Sequence, residues 1–199
     1  ASNVYFPPIG KEPVTPFGHA AVAMLVSNEK GLAEITETYS YSSAIAEEFS
    51  YKGEDLQYDA RFARTAGFGM NTGIALKKSN INPSSVNTLI LNSPYSKLAF
   101  GQFKKAGFDL EKQLLKDNVA PAFGYTGACH GLLLLIYALE NQPGSTVLFD
   151  YLNGTNVFFL SSTSYIGHPL LKEETGTSLG SYQDYLQLRK QGKFESKGY

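Results

Sequence analysis

The sequence predicts an α/β domain, because strand-like and helix-like stretches alternate along the chain. Five stretches are typical of strands and three of helices, in the order β, β, α, β, α, α, β, β. The clearest unit is the apolar run VNTLILN at residues 86 to 92, which is followed by a helix-compatible segment at residues 96 to 106. Two final strands, VLFDY and NVFFL, flank an Asn-Gly pair that favours a tight turn.

Composition indicates one soluble domain. The chain has 199 residues, and its 17 basic and 18 acidic residues give a formal net charge of -1. No broad basic surface is therefore expected for nucleic acid or an anionic membrane. The longest apolar run, LLLLIYAL, is far shorter than the roughly 20 residues of a membrane span, and no charged-then-apolar leader opens the chain. A single cysteine excludes an internal disulfide framework and a Cys-based zinc site, so we expect a cytoplasmic protein.

The N-terminal part contains a proline-rich segment and two predicted strands. Residues 1 to 17 lack helical or strand periodicity, and we expect them to form an extended segment that connects two elements or two domains. Residues 18 to 199 are expected to form a single domain. The run HAAVAMLVS, after Gly18, predicts a strand buried on both faces. GLAEITETYSYSS predicts a second strand, paired with the first through the NEKG turn at residues 28 to 31.

The middle of the chain contains the remaining predicted elements. Residues 46 to 60 are polar and predict a surface excursion, whereas residues 61 to 80 have near-helical spacing interrupted by three glycines. Gly107 is expected to end the helix at residues 96 to 106. A polar stretch and the breaker VAPAFG then precede TGACHGLLLLIYALEN, which is apolar enough to predict a buried helix of about four turns. The segment YQDYLQLRKQGKF predicts a short amphipathic helix near the C-terminus.

Asn92, at the end of a predicted buried strand, is the first candidate for chemistry. An amide can donate to a carbonyl oxygen but cannot act as a general base at neutral pH. The structural alternative is a residue that merely ends the strand in a turn. A second candidate is GYTGACHG, where Thr126 can cap the apolar helix and small residues allow a ligand or another helix to come close.

Cys129 and His130 are adjacent, but neighbouring residues on a helix point about 100° apart. Adjacency therefore gives little support to a catalytic pair, and a buried structural cysteine is the simpler interpretation. His19, His130 and His168 are too dispersed for a metal site, so no metal is predicted. The tail can contact a phosphate or remain solvated through four basic residues: Arg189, Lys190, Lys193 and Lys197. The sequence has no P-loop, GxGxxG or GxSxG motif.

Several stretches, in their order, resemble the thiolase superfamily of condensing enzymes. VYFPPIGKEPVTPFGHAAVAMLVS is similar to the segment that enters the second half of such enzymes. LILNSPYSKLAFGQFKKAGF resembles the strand and helix that carry the catalytic histidine. AFGYTGACHGLLLLIYALENQPGSTVLFDYLNGTNVFFL resembles the buried helix and final hairpin, and SYQDYLQLRKQGKF resembles the closing segment. The likeness is to the C-terminal half of 3-hydroxy-3-methylglutaryl-CoA synthases and ketoacyl synthases III. It implies a thiolase-like half, with a five-stranded mixed sheet packed between helices.

The resemblance also implies roles for particular residues. Asn92 aligns with the family's catalytic histidine, and Tyr125 aligns with the asparagine of the Gly-Asn-Thr-type motif. These two are the expected catalytic residues, as hydrogen-bond donors to a thioester carbonyl. The substrate pocket is expected to include four further residues: Ser93, Tyr95, Cys129 and Gly154. The family's nucleophilic cysteine belongs to the N-terminal half, which this sequence does not contain.

Three functions follow as hypotheses. In the first, the chain is part of an acyl-CoA or acyl-carrier-protein condensing acyltransferase, inactive alone, and a missing N-terminal half or a thiolase-like partner subunit supplies the nucleophile. In the second, it is a non-catalytic structural or acyl-binding partner. The third is an independent activity at Cys129 and His130. No cofactor is expected, acyl-CoA is the expected substrate, and a homo- or hetero-oligomer is expected because the half would otherwise expose an apolar face.

Overall fold

The computed structural model describes residues 18, 20–45, 48–51, 54–57, 59–152 and 154–162, with a few isolated residues between 180 and 187. The strands are β1 (Glu34–Tyr41), β2 (Glu48–Tyr51), β3 (Glu54–Gln57), β4 (Thr88–Asn92), β5 (Gly144–Tyr151) and β6 (Thr155–Ser162). The helices are α1 (Ala60–Phe62), α2 (Met70–Lys78), α3 (Ser96–Lys105), α4 (Leu110–Gln113), α5 (Val119–Phe123) and α6 (His130–Asn141). The predicted N-terminal connecting segment, His19, His168 and the basic residues of the tail lie outside the described residues, as does most of the predicted C-terminal helix.

The main sheet has four strands in the order β1-β6-β5-β4. The pair β4 and β5 is parallel, while β5 with β6 and β1 with β6 are antiparallel. The β5–β6 hairpin confirms the predicted final pair of strands, and its turn is closed by a hydrogen bond from Leu152 N to Gly154 O of 3.1 Å. A separate two-stranded sheet, β2 with β3, occupies much of the predicted polar excursion.

The prediction of a fifth strand at residues 18 to 27 was wrong. Residues 21 to 27 have no strand structure, and β1 pairs with β6 rather than with this segment. Leu25 is 97% exposed and Val26 is 71% exposed. The reason is burial: most of β1 is itself exposed on both sides, so a further strand beside it would gain little apolar contact within the described part of the chain.

The helix predicted at residues 61 to 80 is confirmed, but its centre is a π-helical segment at Ala63–Gly69 that joins α1 to α2. Sequence periodicity does not distinguish a π turn from an α turn over so few residues. A Cβ atom on Gly69 would lie 2.8 Å from the Arg64 carbonyl oxygen, so the wider turn requires glycine there. At Gly69 the close neighbour is therefore the backbone of the helix's own preceding turn.

The end of α3 follows the prediction from Gly107. Gly107 has φ of 99°, a left-handed conformation that favours glycine. Its N–H donates to Lys104 O at 3.1 Å, and Phe108 N–H donates to Phe103 O at 3.1 Å. These two bonds, with the 5.2 Å contact between the Phe103 and Phe108 rings, form a Schellman motif and stop the helix.

Helices cover the main sheet on both sides. On one face the region from α1 to α3 packs in an apolar cluster of Phe68, Ala75, Ala99, Phe103, Leu89, Val147, Phe149, Tyr151 and Val157, with others. On the opposite face α5 and α6 pack in a second cluster that includes Val119, Leu133, Leu134, Leu135, Ala138, Ile90, Leu148 and Leu160. The segment VAPAFG, expected to interrupt helical structure, instead forms the whole of α5 with Gly124 as its C-cap, since proline is tolerated in the first turn of a helix.

Candidate functional site

Four polar side chains lie in register across the main sheet. Asn92 is paired with Asp150, Asp150 with Asn156, and Asn156 with Ser40. Directly paired residues project from the same face of a sheet, so these four form one continuous line, which we call the polar row. Asn92 Nδ2 donates to Asp150 Oδ1 at 2.7 Å, and Ser40 Oγ donates to Asn156 Oδ1 at 2.9 Å.

Burial increases along the polar row from one side of the sheet to the other. Ser40 and Asn156 are exposed, Asp150 is partly buried, and Asn92 is 1% exposed. Burial raises the pKa of the Asp150 carboxyl above its ordinary value of 3.8, against the opposing effects of the Asn92 hydrogen bond and the nearby His130. Asn92 Oδ1 is buried and has no hydrogen-bond partner within the described structure. Such an atom is costly unless a ligand, water or partner meets it.

The start of α6 closes the buried end of the polar row. A Cβ atom on Gly131 would lie 3.3 Å from Asn92 Cβ and 3.3 Å from Leu148 Cδ1. Glycine therefore lets the helix backbone approach Asn92 more closely than any other residue would. The preceding 3₁₀ turn, Gly127–Cys129, places His130 as the first residue of α6.

His130 is held by residues from two other segments. Its Nε2 lies 2.8 Å from Asp117 Oδ2, and its Nδ1 lies 3.4 Å from Thr126 Oγ1. The ring of Tyr125 packs against the imidazole with centroids 4.9 Å apart. His130 is 2% exposed, whereas the Asp117 side chain is 43% exposed. The expected Thr126 cap is not made to a backbone N–H, because its hydroxyl is directed at His130.

The structure brings some of the predicted site residues together and separates others. Asn92 and Tyr125 both lie near the start of α6, through Gly131 and His130 respectively. Ser93 Oγ accepts a hydrogen bond from Tyr95 N at 3.1 Å. The Tyr95 ring lies 5.1 Å from Phe68 and 6.3 Å from Tyr151, among aromatic rings of the opposite face.

Cys129 and Gly154 occupy two further places. Cys129 is 4% exposed, and its Sγ donates to Ala20 O at 3.4 Å. The Cys129 side chain therefore points in a different direction from the His130 side chain, as expected for neighbours on a helical turn. Gly154 lies in the hairpin, where a Cβ atom would meet Ser42 Cβ at 3.2 Å. Gly154 thus packs against the end of β1 and not against Asn92.

Two charged residues of the site, Asp150 beside Asn92 and Asp117 beside His130, were missed from the sequence. Asp150 is the only charged residue in the apolar run STVLFDY, and that contrast was the available signal. Its contact with Asn92 joins residues 58 positions apart, which no local pattern reveals. Asp117 carries no comparable signal, because it lies in the polar stretch after α4.

Among the residues that the structure describes, no group of three or more His, Cys, Asp and Glu side chains is placed to hold a metal ion. Within the same residues, no helix has the length and apolar character that crossing a membrane requires.

The mixed sheet between helices defines a thiolase-like α/β fold. A solved structure with this fold is 3-oxoacyl-[acyl-carrier-protein] synthase III from Aquifex aeolicus VF5, with a TM-score of 0.52 and 13% sequence identity over 68% of this chain and 46% of that chain. The β-ketoacyl-[acyl carrier protein] synthase III from Thermus thermophilus matches with a TM-score of 0.42 and 14% identity over 62% of this chain and 41% of that chain.

The chain spans less than half the length of either synthase. At this level of identity the likeness concerns the fold alone. No protein-family model matches the sequence, and no curated protein matches it either. The fold expected from the sequence is confirmed in its class, with four strands in the main sheet where five were expected.

Proposed function

We propose that the chain is the C-terminal half of a thiolase-type acyltransferase, of the ketoacyl synthase III or 3-hydroxy-3-methylglutaryl-CoA synthase kind. It contributes part of the wall of the acyl-thioester pocket, and a separate N-terminal half or a thiolase-like partner subunit supplies the nucleophile. Acyl-CoA or an acyl carrier protein presents the substrate. A reducing compartment such as the cytoplasm suits its single cysteine.

One observation carries this proposal: the end of β4 meets the start of α6 with Asn92 between them. In the resemblance described above, this strand end and this helix bear the family's histidine and its Gly-Asn-Thr-type motif. Asn92 and Tyr125 stand at those positions, and Gly131 allows the helix to contact Asn92. Neither side chain provides the acid/base group of the family, so the chain is expected to be inactive alone.

The exposed part of the sheet supports the need for a partner. All residues from Glu34 to Thr38 in β1 are exposed, and Ile35 is 41% exposed. No helix of the described residues covers this part of the sheet on the side of the polar row, because α6 lies over β4 and β5. Ile35 is the one apolar side chain in this stretch, and burying it against a second subunit or a missing half would be favourable by about 25 cal/mol per Å² of apolar area.

A non-catalytic role is the second candidate, and a specific contact favours it. The Asn92 amide already donates to Asp150 at 2.7 Å and is 1% exposed. A donor engaged and buried in this way gives little direct access to a thioester carbonyl. In this alternative the chain stabilises a catalytic partner or holds an acyl group without transforming it.

Native mass spectrometry of the untagged protein from its source tests the first proposal. We expect either a gene product longer than this chain or a tightly bound partner with a cysteine-bearing thiolase-like half. A species that contains only copies of this chain would contradict the acyltransferase proposal and leave the structural or binding role.

Asn92→His in the intact assembly separates the two candidates. If this is a catalytic position, we expect the substitution to raise the rate of thioester condensation, because an imidazole can both donate to the carbonyl and transfer a proton. Asn141→His is the matched control, since Asn141 is exposed at the end of α6. An unchanged rate in correctly folded Asn92→His protein would favour the non-catalytic role.

A further inference from the structure

The site described above contains a carboxyl group that can transfer a proton and that neither candidate function assigns. Asn92 cannot accept a proton at neutral pH, since an amide does not titrate there. Asp150 lies directly beside Asn92 on the neighbouring strand. Its carboxylate is the one acidic side chain in the polar row.

The surroundings of Asp150 fit a group that exchanges protons with a bound molecule. Asn92 Nδ2 fixes one carboxylate oxygen at 2.7 Å, and Asn92 itself is held against Gly131. On the other side, Asp150 is paired with the exposed Asn156, so the polar row leads from solvent to the carboxylate. Asp150 therefore combines a fixed orientation with an open approach along the sheet.

The charged group that acts on Asp150 is His130, at the start of α6. The charge of His130 lowers the pKa of Asp150. His130 itself is hydrogen-bonded to Asp117 and packed against the Tyr125 ring. From β4 and β6 the paired neighbours are the neutral residues Asn92 and Asn156. Burial is the dominant influence, and it raises the pKa of Asp150 towards the range in which a carboxylate is an effective acid and base.

We propose that Asp150 is the proton-transferring residue of this site and acts on the carbon next to the carbonyl of an acyl thioester. This inference rests on the proposed acyl-thioester function. The Asp150 carboxylate takes a proton from that carbon, and the electron pair of the broken C–H bond forms a C=C bond. The carbonyl π electrons move to oxygen, which gives an enolate. The reverse step returns the proton from Asp150 to carbon, so no oxidant or further reactant is consumed.

Asn92 is a positioning residue in this scheme. Its amide aims the Asp150 carboxylate, and its hydrogen bond lowers the pKa of Asp150 relative to what burial alone would give. Asn92→Ala should therefore move the titration of Asp150 to higher pH. A residue that merely maintained the fold would not be expected to change that titration in a defined direction.

The first measurement needs no ligand. Carboxyl ¹³C chemical shifts of the labelled protein, recorded as a function of pH, report the titration of individual aspartates. We expect Asp150 to titrate above its ordinary value of 3.8, and Asp109, whose pKa is lowered by its bond to Lys112, to titrate below it. An Asp150 midpoint at or below 3.8 would overturn the inference.

The second measurement follows exchange of the α-hydrogens of acetyl-CoA for deuterium in D₂O, by mass spectrometry, with the protein and any natural partner. Exchange requires neither a nucleophile nor a second substrate. Asp150→Asn should slow exchange by about 10²- to 10⁴-fold, the usual contribution of a general base. Asp109→Asn is the matched control: it makes the same change at an exposed helix cap, where asparagine also caps well, and should leave exchange unaltered.

Binding of acetyl-CoA, measured on the same samples, separates failure of this inference from failure of the proposed function. If acetyl-CoA binds but does not exchange, or exchanges equally with Asp150→Asn, the assignment of Asp150 is wrong and the proposed function stands. If the protein with its natural partner binds neither acetyl-CoA nor an acetylated acyl carrier protein, the thioester function is contradicted and the inference fails with it. Loss of exchange in Asp150→Asn, with binding retained, supports both.

Discussion

The two faces of the main sheet are built from alternate residues of the same strands but have different chemistry. Val147, Phe149 and Tyr151 of β5 point to the face covered by the region from α1 to α3. Leu148 and Asp150 point to the face covered by α5 and α6, where Asp150 joins the polar row. Along β5 the first face is apolar from Val147 to Tyr151, whereas the second changes from the apolar Leu148 to the charged Asp150.

The face covered by the region from α1 to α3, which we call the aromatic face, is packed by helices of this chain. Phe149 packs edge-on to Phe103 with centroids 4.9 Å apart, and Tyr151 packs edge-on to Phe68 at 4.9 Å. The polar-row face is covered over β4 and β5 but exposed along β1. This contrast teaches that the same strands can present an apolar core on one side and a line of polar side chains at one end of the other side, and the period of two along a strand makes that separation possible.

The largest expected effect comes from breaking the aromatic face. Phe149 is 0% exposed, so Phe149→Ala should lower the free energy of unfolding by about 3–5 kcal/mol. Phe158→Ala makes the same change at a half-buried residue of the polar-row face and should cost less, because that side chain already meets water. Urea denaturation measures both. Equal losses would contradict the contrast between the two faces.

A smaller effect is expected where α6 meets the polar row. Gly131→Ala would place a Cβ atom 3.3 Å from Asn92 and Leu148, and the strain should cost about 1–3 kcal/mol. Gly101→Ala in α3 is the matched control, because a Cβ atom there has no neighbour within 4 Å. It should stabilise the helix by about 0.5–1 kcal/mol. Thermal unfolding of the two variants should therefore shift in opposite directions.

The smallest expected effect is a pH dependence of opposite sign at two aspartates. The pKa of Asp150 is raised in the folded protein, so the unfolded chain ionises first and stability falls as pH rises from about 3.8 through the folded value. The pKa of Asp109 is lowered, chiefly by its hydrogen bond with Lys112, so its contribution is present above 3.8 and is lost as pH falls through the folded value.

Urea denaturation between about pH 3 and 8 checks this pair. The free energy of unfolding should fall as the pH rises above 3.8 because of Asp150, and Asp150→Asn should remove this fall. It should rise as the pH rises towards 3.8 because of Asp109, and Asp109→Asn should remove this rise. If Asp150→Asn left the pH profile unchanged, burial would not be controlling that carboxyl.

The sequence predicted those elements whose signal is local. The strand that ends at Asn92 is a short apolar run bounded by turn residues, and α3 ends at a glycine with φ of 99°. The final hairpin has an Asn-Gly turn between two β-favouring runs. Each of these signals is contained within about ten residues, so no distant contact is needed to interpret it.

The predictions from the sequence fail where contacts between residues far apart in the chain determine the structure. Residues 18 to 27 have the composition of a buried strand, but a strand requires a covered partner, and the exposed β1 does not provide one. For the site, the sequence predicted Asn92 at a strand end and Tyr125 before the buried helix. It did not predict the Asn92–Asp150 pair or the contact of Asp117 with His130, because register between strands and the path of a loop are set by the whole fold.

The π-helical segment at Ala63–Gly69 also bears on how this chain can change in evolution. A π turn contains one residue more than an α turn, so deleting one residue there would produce an ordinary helix without opening a gap. Because the wider turn absorbs that extra residue, the deletion would leave Phe62 and Ala75 in nearly the same orientation relative to each other, and would not turn the start of the helix by the roughly 100° that one residue makes in a regular α-helix. Related chains that lack one residue in this segment are therefore expected to keep the same sheet and the same packed face of this helix, and to differ only at the wide turn itself.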